Sequence, residues 1–384
     1  MFAQSMPPVV QTLADLVRIN SVNSSYEGGP GEREIATWIR RFFEARGIEV
    51  WEQEVFPGRP NVLARLPGKN PSRRIVLEAH TDTVSVKGMT IPPFEPVIKD
   101  GRLYGRGSCD TKAGLATMMH ALASLKEDGI TPPCEVLLAA AVDEEYSYRG
   151  VVKLCEDLRA DAAIVAEPTE LRAVIATKGV LRCRIAVHGK SAHSSKPHLG
   201  VNAITHMARV IAAIDADNER MAAKQHPLVG CGTCNVGVIT GGVQVNFVPD
   251  HCAIEIDRRL LPGERAEDAV SHYQTLLDQL AAQHAGLRAE IAQPLLLVDE
   301  ALDTPAEASV VQTATAVLRE LGLNAGPCGV PFGCDASKLS RAGIPSIVFG
   351  PGSIDRAHTA DEYIELDQVE QALEFQRRFL MSFT

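Results

Sequence analysis

The segment CEVLLAAAVDEE, residues 134–145, decides the fold class of this chain. Residues 134–142 form an almost unbroken run of apolar and small side chains, without the polar alternation of a half-exposed strand. Such a run is typical of a strand that is buried on both faces, as in a parallel sheet covered by helices. The run ends in three consecutive acids, Asp143, Glu144 and Glu145, whose partners must lie elsewhere in the chain.

Similar apolar runs occur before and after this segment. RRIVLEAH (73–80), DAAIVAEP (161–168) and IPSIVFGPG (344–352) each predict a short buried strand. Helical patterns separate them, for example TKAGLATMMHALASLKEDG (111–129), which ends at a glycine. Strands that alternate with helices in this way predict an α/β fold with a mixed, mostly parallel sheet flanked by helices.

The middle of the sequence has a different pattern of polar and apolar residues. VLRCRIAVHG (180–189) alternates between polar and apolar residues, as a half-exposed strand does. The patterns that follow read helix, strand, strand, helix and strand, which completes the order of a ferredoxin-like βαββαβ domain of the α+β class. We therefore predict one α/β domain made of residues 1–177 and 294–384, with a second domain inserted at 178–293.

Composition argues against several classes of function. The formal net charge of −10 lacks the basic footprint that a nucleic-acid partner requires. No segment approaches the roughly 18 apolar residues of a membrane span, and the N-terminus lacks the pattern of a signal peptide. The nine scattered cysteines predict reduced thiols and a cytoplasmic protein.

Imidazole and carboxylate groups follow the predicted strands. Ligands of open α/β sheets bind beyond the carboxyl ends of the strands, so these groups are expected to converge there. They are His80 and Asp82 after the first strand, Glu144 and Glu145 after the second, Glu167 after the third and His358 after the last, with Asp110 in a loop before a helix.

Two imidazoles and three carboxylates suit a pair of divalent ions, with zinc expected first. One carboxylate then bridges the ions, and each ion takes one histidine and one terminal carboxylate. Asp82 is placed to accept a hydrogen bond from the second ring nitrogen of His80. Neighbours in an extended segment point in different directions, so one of Glu144 and Glu145 can bind metal while the other accepts the proton of the attacking water.

Each of these groups also has an ordinary interpretation. A single histidine at a strand end is more often structural or solvent-facing than a ligand. An acidic cluster after a strand is usually a solvated turn or a helix N-terminus. Cys231 and Cys234 form a lone CxxC pair, which indicates two ordinary thiols rather than a redox or zinc site. The metal hypothesis therefore depends on the whole set of residues.

Six segments, taken in order, resemble the M20 metallopeptidases. They are HTDTV (80–84), GRGSCDTKAG (105–114), DEEYS (143–147), AEPT (166–169), GKSAHSS (189–195) and AHTADEYIEL (357–366). Each is weak alone, but the ordered set is specific. The resemblance implies a dinuclear zinc hydrolase, with cobalt or manganese as alternative metals. Residues 1–177 and 294–384 would then form the catalytic domain, residues 178–293 a dimerisation or lid domain, and the protein a homodimer.

The resemblance also implies a role for each matching position. Asp110 resembles the bridging ligand, His80 and Glu167 the ligands of one ion, and Glu145 and His358 those of the other. Glu144 matches the general base, and Asp82 the residue behind His80. His193 matches a histidine that reaches the partner subunit's site and stabilises an oxyanion. Arg258 and Asn246 resemble the pair that holds the substrate carboxylate, although a surface salt bridge explains Arg258 equally well from spacing alone.

The reaction that the resemblance implies is hydrolysis of an amide, which frees an amino acid from its N-acyl group. Within this family, AEPT, ATKG and FGPGSIDRAHTADEY are most similar to the acetylornithine deacetylase group. N-acetylornithine is therefore the expected substrate, and arginine biosynthesis the expected context. The alternative substrates are N-succinyl-diaminopimelate and a peptide with a free C-terminus. The alternative to an enzyme is an inactive, metal-binding dimeric scaffold. Asp143 is given no role beyond a solvated or hydrogen-bonded turn.

Overall fold

The structure is a computed structural model, and it describes residues 6–384. The described chain divides into two compact units. The first runs to Ile175 and continues at 304–328 and 334–384, whereas the second comprises 176–303 and 329–333. The second unit thus ends later than the predicted 293, because a short strand at Leu297–Asp299 pairs with the first strand of the same unit.

Residues 6–177 form four helices and eight strands. The helices are α1 (Pro8–Arg18), α2 (Arg33–Glu44), α3 (Lys112–Glu127) and α4 (Arg149–Cys155). The strands are β1 (Glu49–Phe56), β2 (Arg59–Leu66), β3 (Asn70–His80), β4 (Val97–Lys99), β5 (Arg102–Tyr104), β6 (Cys134–Ala141), β7 (Ala162–Val165) and β8 (Val174–Thr177).

The remaining elements follow in chain order. Those up to Asp299 are β9 (Gly179–His188), β10 (Ala192–His193), α5 (Ala203–Ala222), β11 (Gln225–His226), β12 (Gly230–Cys231), β13 (Thr233–Gly241), β14 (Phe247–Val248), β15 (His251–Leu260), α6 (Ala266–Gln283), β16 (Arg288–Ile291) and β17 (Leu297–Asp299). The last are α7 (Ser309–Glu320), β18 (Cys328–Val330), α8 (Ala336–Arg341), β19 (Ser346–Val348), β20 (Tyr363–Glu365) and α9 (Leu366–Ser382).

The first unit is built on an eight-stranded sheet in the order β1-β2-β6-β3-β7-β19-β8-β18. Its central pairs, β6 with β3, β3 with β7 and β7 with β19, are parallel. Every residue of β6 is buried, as its apolar sequence predicts. The pairs outside this centre, β1 with β2, β2 with β6 and β19 with β8, are antiparallel. The predicted α/β class with a mixed sheet, parallel at its centre, is therefore confirmed.

Helices supply the apolar cover of this sheet. In α2, the buried residues Ile35, Ile39 and Phe42 recur at helical spacing and form the face that packs inward. In α9, Phe375 stacks on Phe349, which directly follows β19, with ring centroids 3.8 Å apart. Full burial of such a side chain stabilises the fold by about 1.5–3 kcal/mol, so these helices hold the sheet rigidly beneath the loops that follow its strands.

The second unit is a separate antiparallel sheet in the order β13-β15-β9-β16, with β17 also paired to β9. The elements β9, α5, β13, β15, α6 and β16 follow the predicted βαββαβ order. In β9, Cys183 and Ile185 are buried, whereas Arg182 and Arg184, which alternate with them, are exposed. This alternation places one face of the sheet against α5 and α6, and the predicted inserted α+β domain is confirmed.

None of the nine cysteines forms a disulfide bond. Cys234 is buried and Cys231 is partly exposed, and no bond joins the two. Among residues 6–384, no helix combines the length and the apolar character that a membrane-spanning segment needs.

A partly buried histidine makes the stability of the first unit depend on pH. His120 of α3 lies beside Thr12 of α1, with 2.8 Å between Nε2 and the Thr12 hydroxyl. Burial, together with the Arg46 guanidinium, lowers the pKa of His120 to about 4. As the pH falls from the ordinary histidine pKa of 6.5 towards 4, the unfolded chain takes up this proton before the folded chain does, so stability is lost.

We expect His120→Gln to lessen this loss, because glutamine keeps a polar group beside Thr12 and does not titrate. The loss attributable to His120 is at most about 1.4 kcal/mol per pH unit. Urea unfolding of both proteins at pH 7.5 and pH 5 measures it. An identical fall in unfolding free energy for the two proteins would contradict the assignment.

Candidate active site

The strands of the first unit bring the predicted site residues to one edge of the sheet. In the parallel register, His80 lies opposite Ala141, and Glu78 lies opposite Val165. The segments that follow β3, β6 and β7 therefore leave the sheet side by side, and they carry Asp82, the acids at 143–145 and Glu167.

Asp110 lies between the two histidines. Its Oδ1 is 3.0 Å from Nε2 of His80, and its Oδ2 is 3.1 Å from Nε2 of His358. One carboxylate thus presents a different oxygen to each imidazole, which is the arrangement that a ligand shared by two ions needs.

A second carboxylate accompanies each imidazole. Glu145 Oε1 is 3.1 Å from Nε2 of His358, and Glu167 Oε1 is 3.9 Å from Nε2 of His80. Within the described residues, two groups bring their possible ligand atoms within 4.8 Å of one another: His80 with Glu144 and Glu167, and His80 with Asp110 and Glu145. Nitrogen and oxygen donors of this kind fit first-row divalent ions.

The orientation of His80 also fits a ligand. Its Nδ1 donates a hydrogen bond to the main-chain carbonyl of Asp82 over 3.0 Å. In the neutral ring this leaves the lone pair on Nε2, which faces Asp110 and Glu167. A metal-binding histidine is usually held in this way by a partner on its other nitrogen.

The many carboxylates of this cluster make it a favourable place for cations. Burial opposes the charge of His358, but hydrogen bonds to Asp110 and Glu145 raise its pKa to about 11. Burial raises the pKa of the Glu144 and Glu167 carboxyls well above the usual range. All three pKa values are raised because several carboxylates lie close together in a buried place. Two divalent ions would offset the repulsion between their negative charges.

The Asp82 carboxylate makes contacts that the sequence did not indicate. Its Oδ1 is 3.7 Å from Nδ1 of His80, so the main-chain carbonyl of Asp82, and not its side chain, is the acceptor in hydrogen-bond range. Oδ1 and Oδ2 instead accept hydrogen bonds from the main-chain amides of Glu144 and Glu145, each at 3.1 Å. Asp82 therefore fixes the backbone of both acids.

Glu362 was not singled out from the sequence, yet it holds the loop of Asp110. It is fully buried, and its carboxylate accepts hydrogen bonds from the amides of Cys109 at 2.9 Å and Asp110 at 3.1 Å. Arg106 donates to its other oxygen over 2.6 Å. Glu362 lies within the segment AHTADEYIEL, but nothing in its spacing indicates that its partners are some 250 residues earlier.

Asp143 is buried rather than solvated. Its side chain accepts hydrogen bonds from Asn23, Arg59 and Ser147. Its φ of 70° lies in the left-handed region, which costs a non-glycine residue about 1–3 kcal/mol. These contacts offset that cost, so of the two earlier interpretations the hydrogen-bonded turn holds and the solvated turn is wrong.

The other three predicted residues belong to the second unit. His193 in β10 is opposite Phe247 in β14, and the amide of Ser194 donates to the carbonyl of Asn246 over 3.0 Å, so His193 and Asn246 lie close together. Nδ1 of His193 accepts a hydrogen bond from the amide of Ser195 at 3.2 Å. Because an amide only donates, the neutral ring carries its proton on Nε2.

Arg258 lies on the helix-covered face of β15 and is 6% exposed. Its Nη2 is 3.1 Å from Oε2 of Glu264, and its Nη1 donates to the carbonyl of Arg259. The ion pair of Arg258 thus joins a buried guanidinium to a partly buried carboxylate, instead of forming the surface salt bridge that spacing suggested. Its contact with a substrate carboxylate stays a prediction.

The fold and this cluster define an α/β protein with an imidazole and carboxylate centre of the type that binds divalent metals. The chain belongs to the peptidase family M20/M25/M40, whose sequence profile matches residues 76–382, and it is a hydrolase of that family. The predicted family is therefore confirmed.

Three relatives illustrate the range of this family. An acetylornithine deacetylase of Myxococcus xanthus is 32% identical over 343 residues, 86% of this chain and 83% of the relative. The crystal structure of a tripeptidase from Staphylococcus aureus superposes with a TM-score of 0.81 at 26% identity and covers 97% of each chain. A dinuclear metal-binding M20 peptidase of Bacillus subtilis has the same fold, with a TM-score of 0.74 at 16% identity over 97% of this chain and 96% of that one.

Proposed function

We propose that this chain is a dinuclear zinc amidohydrolase that converts N-acetylornithine to ornithine and acetate in arginine biosynthesis. The observation that carries the proposal is the position of Asp110, with one oxygen beside His80 and the other beside His358. This geometry supports Asp110 as the bridging ligand. Glu167 would complete one site with His80, and Glu145 the other with His358; cobalt and manganese are alternatives to zinc.

The ions would polarise the acyl carbonyl and ease the loss of a proton from water. Glu144 accepts this proton and returns it to the leaving nitrogen. Asp82 keeps Glu144 in place through the hydrogen bond to its main-chain amide. His193, with its proton on Nε2, has the donor that an oxyanion requires.

The deacetylase of Myxococcus xanthus supports the choice of N-acetylornithine, because it is similar to this chain over most of its length. The likeness to the Staphylococcus aureus tripeptidase favours a second candidate, hydrolysis of a short peptide. Both reactions break an amide bond and would use the same Glu144, so the difference lies in the groups that contact the substrate.

We also propose a cytoplasmic homodimer in which His193 acts across the interface. The edge strand β13 and the loop after it support the dimer, since Val238, Ile239, Val243 and Val245 are all exposed. An open strand edge with apolar side chains is a surface that a second copy can cover. Nine cysteines without a disulfide fit a reducing compartment.

A panel of substrates tests the proposed reaction. Purified, zinc-loaded protein is assayed with N-acetylornithine, N-succinyl-diaminopimelate, other N-acetyl amino acids, dipeptides and tripeptides. We expect the highest kcat/KM for N-acetylornithine, with equal amounts of acetate and ornithine released. A higher value for a peptide would contradict the deacetylase assignment and leave the hydrolase class intact.

A further inference from the structure

Asn23 joins two carboxylates that lie behind the candidate active site. It is fully buried in the segment after α1. Its side-chain nitrogen donates to Oδ2 of Asp82 at 2.8 Å and to Oδ1 of Asp143 at 2.9 Å, and its oxygen accepts from the amide of Ser25 at 3.0 Å. Both amide protons are thus used, each on a different carboxylate.

The two carboxylates flank the segment that carries the acids of the site. Asp82 holds the amides of Glu144 and Glu145. Asp143 precedes Glu144 directly, and it accepts hydrogen bonds from Arg59 at 3.1 Å and from Ser147 at 2.5 Å. Asn23 therefore contacts both residues that hold the segment 144–145 in place, Asp82 and Asp143.

The charge of this region explains why the linking residue is an amide. Asp82 and Asp143 are both buried, and like charges in a low dielectric repel strongly. Arg59 offsets part of this charge, but it also donates to the buried Glu32 at 2.7 Å. The amide group of Asn23 supplies two donors without adding another charge, whereas a carboxylate at the same position would add an acceptor facing two acceptors.

We propose that Asn23 is a positioning residue for the catalytic centre, and that its side chain sets the location of Glu144 and Glu145 through Asp82 and Asp143. The roles of base and ligand that it supports rest on the proposed function. Its main chain has a separate structural role, since the Asn23 amide donates to the carbonyl of Thr83 at 3.0 Å. That bond survives a change of side chain, so the two roles can be separated.

Asn23→Asp tests the proposal because it keeps the shape of the side chain and exchanges donors for acceptors. The matched control is Asn61→Asp. Asn61 is equally buried, and it donates to Oε1 of Gln53 and to the carbonyl of Gly150. Its Oδ1 accepts a hydrogen bond from the amide of Val142 at 3.1 Å, and an aspartate at position 61 keeps this acceptor. Both variants carry the general cost of a buried carboxylate, but only Asn23→Asp places a new acceptor against the carboxylates of Asp82 and Asp143.

We expect Asn23→Asp to weaken zinc binding, measured by chelator competition, by roughly tenfold to hundredfold, and to lower kcat by a similar factor with little change in KM. In the metal-free protein, hydrogen exchange of the Glu144 and Glu145 amides should become faster. Asn61→Asp should keep the zinc affinity and the exchange rates of these two amides, even where its melting temperature falls.

Wild-type zinc affinity and amide exchange in a folded Asn23→Asp variant would overturn the proposal, as would an equal loss in Asn61→Asp. If Asn23→Asp does not fold, Asn23→Ala is judged by the same criteria, because it removes the two donors and adds no charge. The exchange measurement needs neither metal nor substrate. A wild-type protein that binds no zinc would therefore contradict the proposed function, while amide exchange still decides the role of Asn23.

Discussion

Glu144→Gln should lower kcat by roughly 100-fold to 10,000-fold and leave zinc bound, because a general base contributes about that much to the rate. The glutamine side chain has the same size as that of glutamate, but it does not accept a proton from water. The main-chain amide of residue 144 still donates its hydrogen bond to Asp82. Steady-state kinetics and the metal content of the purified variant measure the two effects. Unchanged turnover in the zinc-loaded variant would remove Glu144 from the mechanism.

The adjacent residue supplies a matched control. Glu145→Gln makes the same chemical change one position along the chain, on the carboxylate that lies 3.1 Å from Nε2 of His358. We expect this variant to bind less zinc, because a neutral amide is a weaker ligand than a carboxylate. Loss of metal in Glu145→Gln, but not in Glu144→Gln, is the pattern that separates ligand from base.

His193→Ala should lower kcat by roughly 100-fold to 1,000-fold, the usual loss when one donor to an oxyanion is removed. Zinc content should stay at the wild-type level, because His193 belongs to the second unit and its contacts are with Ser195. Kinetics of the zinc-loaded variant measure the loss. Full activity in His193→Ala would exclude the oxyanion role.

Mixed dimers test whether this histidine acts across the subunit interface. If it does, combining inactive His193→Ala and Glu144→Gln subunits should restore about a quarter of the wild-type rate, since half of the randomly mixed dimers have one intact site. Subunit exchange is followed with differently tagged chains. Exchange without recovered activity would contradict action across the interface.

Much of the site could be predicted because it depends on a general property of parallel sheets. An apolar run marks a buried strand, and whatever follows it lies at the carboxyl edge. His80, Glu145 and Glu167 could be found in this way. Their distances from Asp110 and His358 could not, since these depend on the conformation of two loops.

The supporting residues could not be predicted, because their partners lie far away in the sequence. Asn23 contacts Asp82 and Asp143 across 59 and 120 residues. No local sequence pattern indicates such a contact, and the sequence around an asparagine does not show whether its side chain is buried or exposed. The sequence also gives no sign of the left-handed conformation of Asp143.

Strand alternation carried more information about Arg258 than its motif did. In β15, Ile254, Ile256 and Leu260 are buried, so the residue between the last two on the same face is Arg258. This face is covered by helices, which accounts for the ion pair with Glu264. The alternation of residues in this strand therefore predicts that Arg258 lies on the buried face.

The central claim is that two ions share Asp110 and that hydrolysis requires both. It is tested most directly by adding zinc in steps to metal-free protein and measuring bound metal and hydrolysis of N-acetylornithine in the same samples. The account predicts no turnover without metal and full turnover only when two ions are bound per chain. Full turnover with a single ion per chain, or turnover by the metal-free protein, would contradict it.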